Sequence, residues 1–175
     1  MNARAFGVVV LSGFAFAACG DRWTLDDRTA PANVTILPGT AISAKLQIEA
    51  SHPIPNVRTV ADAISVTSGR IRVTQTDDRQ GCSANGTFEG RDGLWNQGAS
   101  DAGVRTSDAG VSLTANRIDL SASCPATEHA TKVTVSFANE GDKPVSFAWQ
   151  VIATTNGEGS SDPPSDAFIR VRLAE

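Results

Sequence analysis

The chain has 175 residues and a mass of 18.2 kDa, with 41% hydrophobic and 19% charged residues. Its 15 basic residues face 19 acidic ones without any basic run, which leaves no electrostatic basis for binding nucleic acid. Three cysteines and two histidines are too few for most zinc frameworks, and the length suits one domain with a substantial core.

The chain opens on a positive charge at Arg4, followed by an uncharged apolar stretch over residues 5–18 that stops at Cys19-Gly20-Asp21-Arg22. Fourteen residues make about 21 Å of helix, short of the ~30 Å hydrocarbon core of a bilayer, so the stretch reads as an export signal rather than a permanent span. Ala15-Phe16-Ala17 has the small-x-small spacing that ordinary signal peptidase cuts. Phe16-Ala17-Ala18-Cys19 resembles the lipobox of bacterial lipoproteins, with Phe16 where that family prefers Leu. A rare cysteine at the diagnostic position favours the lipobox over the ordinary cleavage site.

This resemblance implies removal of residues 1–18, a diacylglyceryl group on Cys19, usually a third acyl chain, and the membrane as a partner. Several acyl chains hold firmly where one holds weakly. Gly20, in place of the Asp that retains such proteins in the inner membrane, implies the outer membrane of a bacterial envelope. Residues 19–30 then read as a lipidated tether, with Trp23 at the headgroups, and 31–175 as the domain. Lipidation of Cys19 leaves Cys82 and Cys124, an even pair in an exported chain, read as one disulfide, with two separate buried thiols as the alternative.

Strand signals fill the domain. Ile42, Ala44, Leu46, Ile48 and Ala50 alternate with polar residues until His52-Pro53-Ile54-Pro55 ends the run. Further short strands are predicted at 33–37, 63–67, 70–76, 86–89, 111–115, 132–138, 144–154 and 167–173, with 155–165 as a polar loop. No window carries a sustained helical stripe. The pattern predicts an all-β fold, an antiparallel immunoglobulin-like or jelly-roll type β-sandwich. Val133, Val135 and Phe137 are separated from Val145 and Phe147 by an Asn139-x-Gly141-Asp142 turn, which predicts a hairpin. That segment resembles the N-x-G-x-x-P-V hairpins of bacterial immunoglobulin-like domains. Ser100-Asp101-Ala102-Gly103-Val104 recurs at residues 107–111, too short a repeat for a solenoid and read as turn chemistry used twice.

Chemistry is sparse. No nucleophile elbow, zinc-protease helix, phosphate loop or dinucleotide fingerprint occurs. His52 and His129 read as solvated loop residues. Asp77, Asp78, Asp92, Asp101 and Asp108 are loop carboxylates of the kind calcium takes, but lack its Asp-x-Asp-x-Asp-Gly spacing, and neither metal nor cofactor is assigned. Asp92, Trp95, Asn96 and Gln97 form a Gly-flanked segment in which an aromatic ring stands beside amides. It reads either as a tryptophan folded over the sandwich edge or as a surface for stacking on a sugar. The expected function is a non-catalytic binding or assembly role for a lipid-anchored envelope protein, with another envelope protein or a glycan as partner. The alternative is a carbohydrate-binding module built on the Trp95 loop.

Overall fold

A computed structural model describes residues 21–65, 68–79, 82–91, 94–97, 110–114, 117–124 and 127–174. Cys19 and Asp92 lie outside the described residues, as do Asp101 and Asp108. The described residues form twelve strands: β1 (Arg22–Arg28), β2 (Ala32–Ile36), β3 (Ala41–Ala50), β4 (Asn56–Ser65), β5 (Ser68–Asp77), β6 (Ser83–Arg91), β7 (Leu94–Gln97), β8 (Gly110–Thr114), β9 (Arg117–Ser123), β10 (Ala130–Asn139), β11 (Val145–Glu158) and β12 (Ile169–Leu173). All the pairings are antiparallel.

Two six-stranded sheets result. The first runs β1-β11-β4-β9-β8, with β2 pairing the other half of β11 beyond β1; the second runs β12-β3-β10-β5-β6-β7. The expected all-β sandwich is therefore present. Its connectivity is a nested ribbon, with β2 paired to β11, β3 to β10, β4 to β9 and β5 to β6. That is the jelly-roll arrangement and not the immunoglobulin one, whose sheets are built from a different strand order.

The expected hairpin at residues 133–147 is not one. β10 belongs to the second sheet and β11 to the first, so residues 140–144 cross between layers. Each strand's apolar side faces the other across the core: the Phe137 ring centroid lies 4.9 Å from that of Phe147 and 5.4 Å from that of Trp149. Asn139 shapes the crossing. Its Nδ2 donates to the Ile36 and Lys143 carbonyls at 2.9 and 2.8 Å, and its Oδ1 accepts from the Gly141 N–H at 2.9 Å. A hairpin and a sandwich crossing share one alternation pattern, and only the distant partner strands separate them.

The core is made of the two inner faces. Leu46, Ile48, Ile71, Val73, Phe88, Val133, Val135 and Phe137 come from the second sheet, and Val57, Ile118, Leu120, Phe147, Trp149 and Val151 from the first. Each such side chain contributes about 1.5–3 kcal/mol by leaving water. A fully buried polar tie also crosses the core: Gln75 donates from Nε2 to the Val57 carbonyl (2.9 Å) and accepts from the Thr59 hydroxyl (2.7 Å). It joins β5 to β4 without leaving an amide atom unsatisfied.

Residues 22–28, expected in a tether, instead pair along β11 from Arg22↔Glu158 to Arg28↔Ile152. Trp23 is 2% exposed rather than at a headgroup layer. It sits opposite Gly157 and meets the His52 ring edge-on, with centroids 4.7 Å apart. The sequence hides this because the packing surface is a glycine: a Cβ on residue 157 would come within 2.4 Å of Trp23 Cζ2. An aromatic ring covering a glycine on the neighbouring strand is a recognised device for pinning register. Gly157→Ala is therefore expected to lower stability by about 1–3 kcal/mol through forced displacement of the ring. Denaturant unfolding checks this, and a change within about 0.5 kcal/mol, as for an ordinary surface site, would refute it.

Candidate functional site

Of the residues singled out from sequence, Cys82 and Cys124 are brought together. β5 ends at Asp77, and the turn that follows curls back: the Asp77 N–H donates to the Cys82 carbonyl (3.0 Å) and the Cys82 N–H to the Arg79 carbonyl (3.2 Å). Cys124 follows β9, and its N–H donates to the Pro55 carbonyl at 3.3 Å. Both cysteines are buried and present as thiols, and the two side chains are hydrogen-bonded to each other. Burial, together with that bond, pushes the Cys124 thiol up to about 12 from an ordinary 9.0, against the pull of Arg79. In the dithiol state Cys124 is thus protonated at neutral pH and is no nucleophile.

Beside the thiols lies a pair that sequence reading missed. The Arg79 side chain is 2% exposed and that of Asp77 not at all. Arg79 Nε and Nη2 approach the two Asp77 carboxylate oxygens at 2.9 and 2.5 Å, and Nη1 donates to the Ile54 carbonyl. The Arg79 backbone N–H also donates to Asp77 Oδ1 at 3.0 Å. Burial opposes the Arg79 charge, but the Asp77 hydrogen bonds and charge outweigh it and raise its pKa. The Thr131 hydroxyl lies against both Asp77 Oδ1 and Asp78 Oδ1, and the Lys132 N–H donates to Asp78 at 3.0 Å. Asp78 is held below the usual carboxylate range, chiefly by Thr131. Asp77, read from the sequence as a loop carboxylate, is therefore a buried strand-end residue, whereas Asp78 is exposed just beyond the strand. Asp77 terminates a strand, and its oxygens are already engaged. Among the described residues no group of three or more His, Cys, Asp and Glu is placed to hold a metal ion.

Trp95, Asn96 and Gln97 form β7, not a loop. They pair antiparallel with β6 in the register Gly90↔Trp95, Glu89↔Asn96 and Phe88↔Gln97, at the edge of the second sheet. His129 is exposed, and His52 packs against Trp23 and receives or donates one bond with the Ser51 hydroxyl at 3.0 Å.

A groove absent from the sequence reading crosses the outer face of the second sheet. It has a volume of about 690 Å³ and is lined by residues that include Lys45, Gln47, Lys132, Thr134, Arg172 and Leu173. Pairing order creates it: Gln47 of β3 stands opposite Lys132 of β10 on one side and Arg172 of β12 on the other. Lys45 stands two residues away on the same face of β3, opposite Thr134. Neighbouring strands lie about 4.8 Å apart and same-face residues about 7 Å apart, so the three cations fall within the width of one small ligand. Among the described residues none of the three forms an ion pair. Glu49, the nearest carboxylate along β3, accepts from Gln47 Nε2 at 2.8 Å.

Comparison of the chain with protein-family models, with curated proteins and with solved structures finds no match in any of the three.

Proposed function

We propose that the chain is a lipid-anchored, non-catalytic protein of the bacterial outer membrane whose jelly-roll domain binds an anionic partner. The groove of Lys45, Lys132 and Arg172 carries this reading. Three cations that form no ion pair among the described residues, on a rigid sheet of a chain with net charge −4, make a local concentration of positive charge, with Asp78 near Lys132 as the carboxylate at its margin. Hydrogen-bonding groups for a polar ligand stand between them at Gln47 and Thr134. The lipobox-like segment ending at Cys19 supports the anchor.

The test is calorimetric titration of the mature protein with acidic and phosphorylated saccharides at several salt concentrations. Binding that weakens with salt, and that falls at least about tenfold in the triple variant Lys45→Glu, Lys132→Glu, Arg172→Glu, is the expected result. Unchanged binding in that variant would overturn the groove. Recognition of neutral glycans that is lost in Trp95→Ala would instead favour the carbohydrate-binding module at β7.

A further inference from the structure

We infer that the end of the sandwich formed by residues 51–55, 127–129 and 159–168 lies directly against the headgroup layer of the membrane that holds Cys19, with no spacer between. The inference rests on the lipid-anchor reading and adds to it an orientation and a contact surface. It follows from how little chain is free. β1 begins at Arg22, and the Asp21 carbonyl already accepts from the Gly159 N–H at 2.9 Å. Only Gly20 stands between that fixed residue and Cys19. Two residue steps span at most about 7 Å, so the lipid-bearing Cα stays within that distance of the Asp21 Cα.

Slack cannot come from peeling β1. The strand is laddered to β11 over its whole length, and Trp23 at its second position is buried on Gly157 and His52. Nor does the end of the sandwich yield, because its loops are tied to one another. The Ala50 N–H donates to the His129 carbonyl, Ser51 to Phe168 and Ile54 to Glu128, at 2.8, 2.9 and 3.0 Å. The Thr155 hydroxyl lies against the His52 and Pro53 carbonyls. β1 and the loops at this end are therefore one body, and residue 20 alone separates it from the lipid-bearing cysteine.

Phe168, 39% exposed with the Arg170 guanidinium 5.1 Å from its ring centroid, is the apolar feature of this end. A ring with a cation over it suits the boundary between acyl chains and headgroups. Glu128, Glu158, Asp162 and Asp166 make the same end acidic, so the chain-length limit, rather than attraction to anionic lipid, imposes the contact. The turn at 37–40 lies at the opposite end, one strand length away, and faces away from the bilayer.

The test uses the full lipidated protein, reconstituted in vesicles of phosphatidylethanolamine and phosphatidylglycerol, with the photo-crosslinker benzoylphenylalanine placed at position 168 or at position 37. Lipid adducts at 168 and none at 37 are expected. Inserting a Gly/Ser spacer of roughly 20 residues after Gly20, with a reach of about 25 Å, should bring position 168 down to the level of position 37. Equal adducts at both positions, or no adduct at 168, would overturn the orientation. The mass of the mature N-terminus, measured on the same sample, separates the two ideas. An unmodified Cys19 sinks the anchor and the orientation with it, whereas a lipidated Cys19 without adducts at 168 sinks the orientation alone.

Discussion

Asp77→Ala is expected to destabilise the domain by about 3–5 kcal/mol, because it leaves the Arg79 guanidinium buried and uncompensated. No exposed surface pair would behave this way; the Arg22–Glu158 bridge at 3.1 Å, with both side chains more than 70% exposed, should contribute less than about 1 kcal/mol. Arg79 also holds the Ile54 carbonyl, so its displacement loosens the connection between β3 and β4 as well as the turn after β5. The double variant Asp77→Ala, Arg79→Leu removes charge and countercharge together. It should recover much of the loss, since an apolar pair of fitting volume often replaces a buried ion pair at little cost. Urea unfolding of the three proteins checks the cycle. A single variant within about 1 kcal/mol of the parent would mean that water reaches Arg79.

The second large effect concerns the thiols. We propose that Cys82 and Cys124 join as a disulfide in the exported protein. A disulfide of the exporting compartment exchanges with one thiol and is displaced by the other, accepting two electrons while the two thiol protons are released. The bridge closes a loop of about 42 residues, which stabilises by roughly 4 kcal/mol in the chain-entropy model. Reduction should then lower the melting temperature by about 10 °C. Alkali separates the two forms further. Folding raises the pKa of the Cys124 thiol from 9.0 to about 12, so the dithiol protein keeps that contribution below pH 9 and loses it as the pH climbs towards 12. The bridged protein has no thiol to ionise and should show no such decline from this source. Melting curves of both forms between pH 7 and 11, with non-reducing peptide mapping of protein from the envelope, decide it. Two alkylated thiols in that map would rule the bridge out.

Much of the fold could be read from periodicity alone, and the exceptions have physical reasons. β3, β10 and the first half of β11 alternate cleanly because one face of each is buried. β9 also alternates, with Ile118, Leu120 and Ala122 inward, but Arg117 and Asp119 dilute its apolar signal, and the sequence pattern predicts no strand there. β1 carries Asp26, Asp27 and Arg28 and so imitates a tether. Its order comes from Gly157 and β11, far along the chain. Asp27 also reaches across the edge of the sandwich, accepting from the Val171 N–H of β12 at 2.7 Å. The closeness of Cys82 and Cys124 was inferable from their being the two cysteines left over. The ion pair beside them was not, because Asp-Asp-Arg reads locally as solvated turn, and what covers it, Ile54 of the β3–β4 connection and Thr131 of β10, lies far away in the chain. The groove is less visible still. Lys45, Lys132 and Arg172 are unremarkable in their own segments, and only the order β12-β3-β10 makes them neighbours.

The nested pairing also fixes the order in which the molecule is able to assemble. The first strands, β1 and β2, find their hydrogen-bond partner only in β11, and β3 finds its partners in β10 and β12. A chain emerging from its N-terminus through a membrane pore therefore cannot complete either sheet until almost all of it has crossed. The innermost ribbon of β5 and β6 is the one extensive pairing available early. Loop closure over such separations is slow, as in other folds dominated by non-local contacts. On the export reading proposed above, a chain of this topology stays unfolded, and hence threadable, while it crosses, and it commits to its structure only when residues 145–173 arrive on the far side. The same delay leaves its early strands unpaired for that interval, so export should be the stage at which the protein depends most on a holding chaperone.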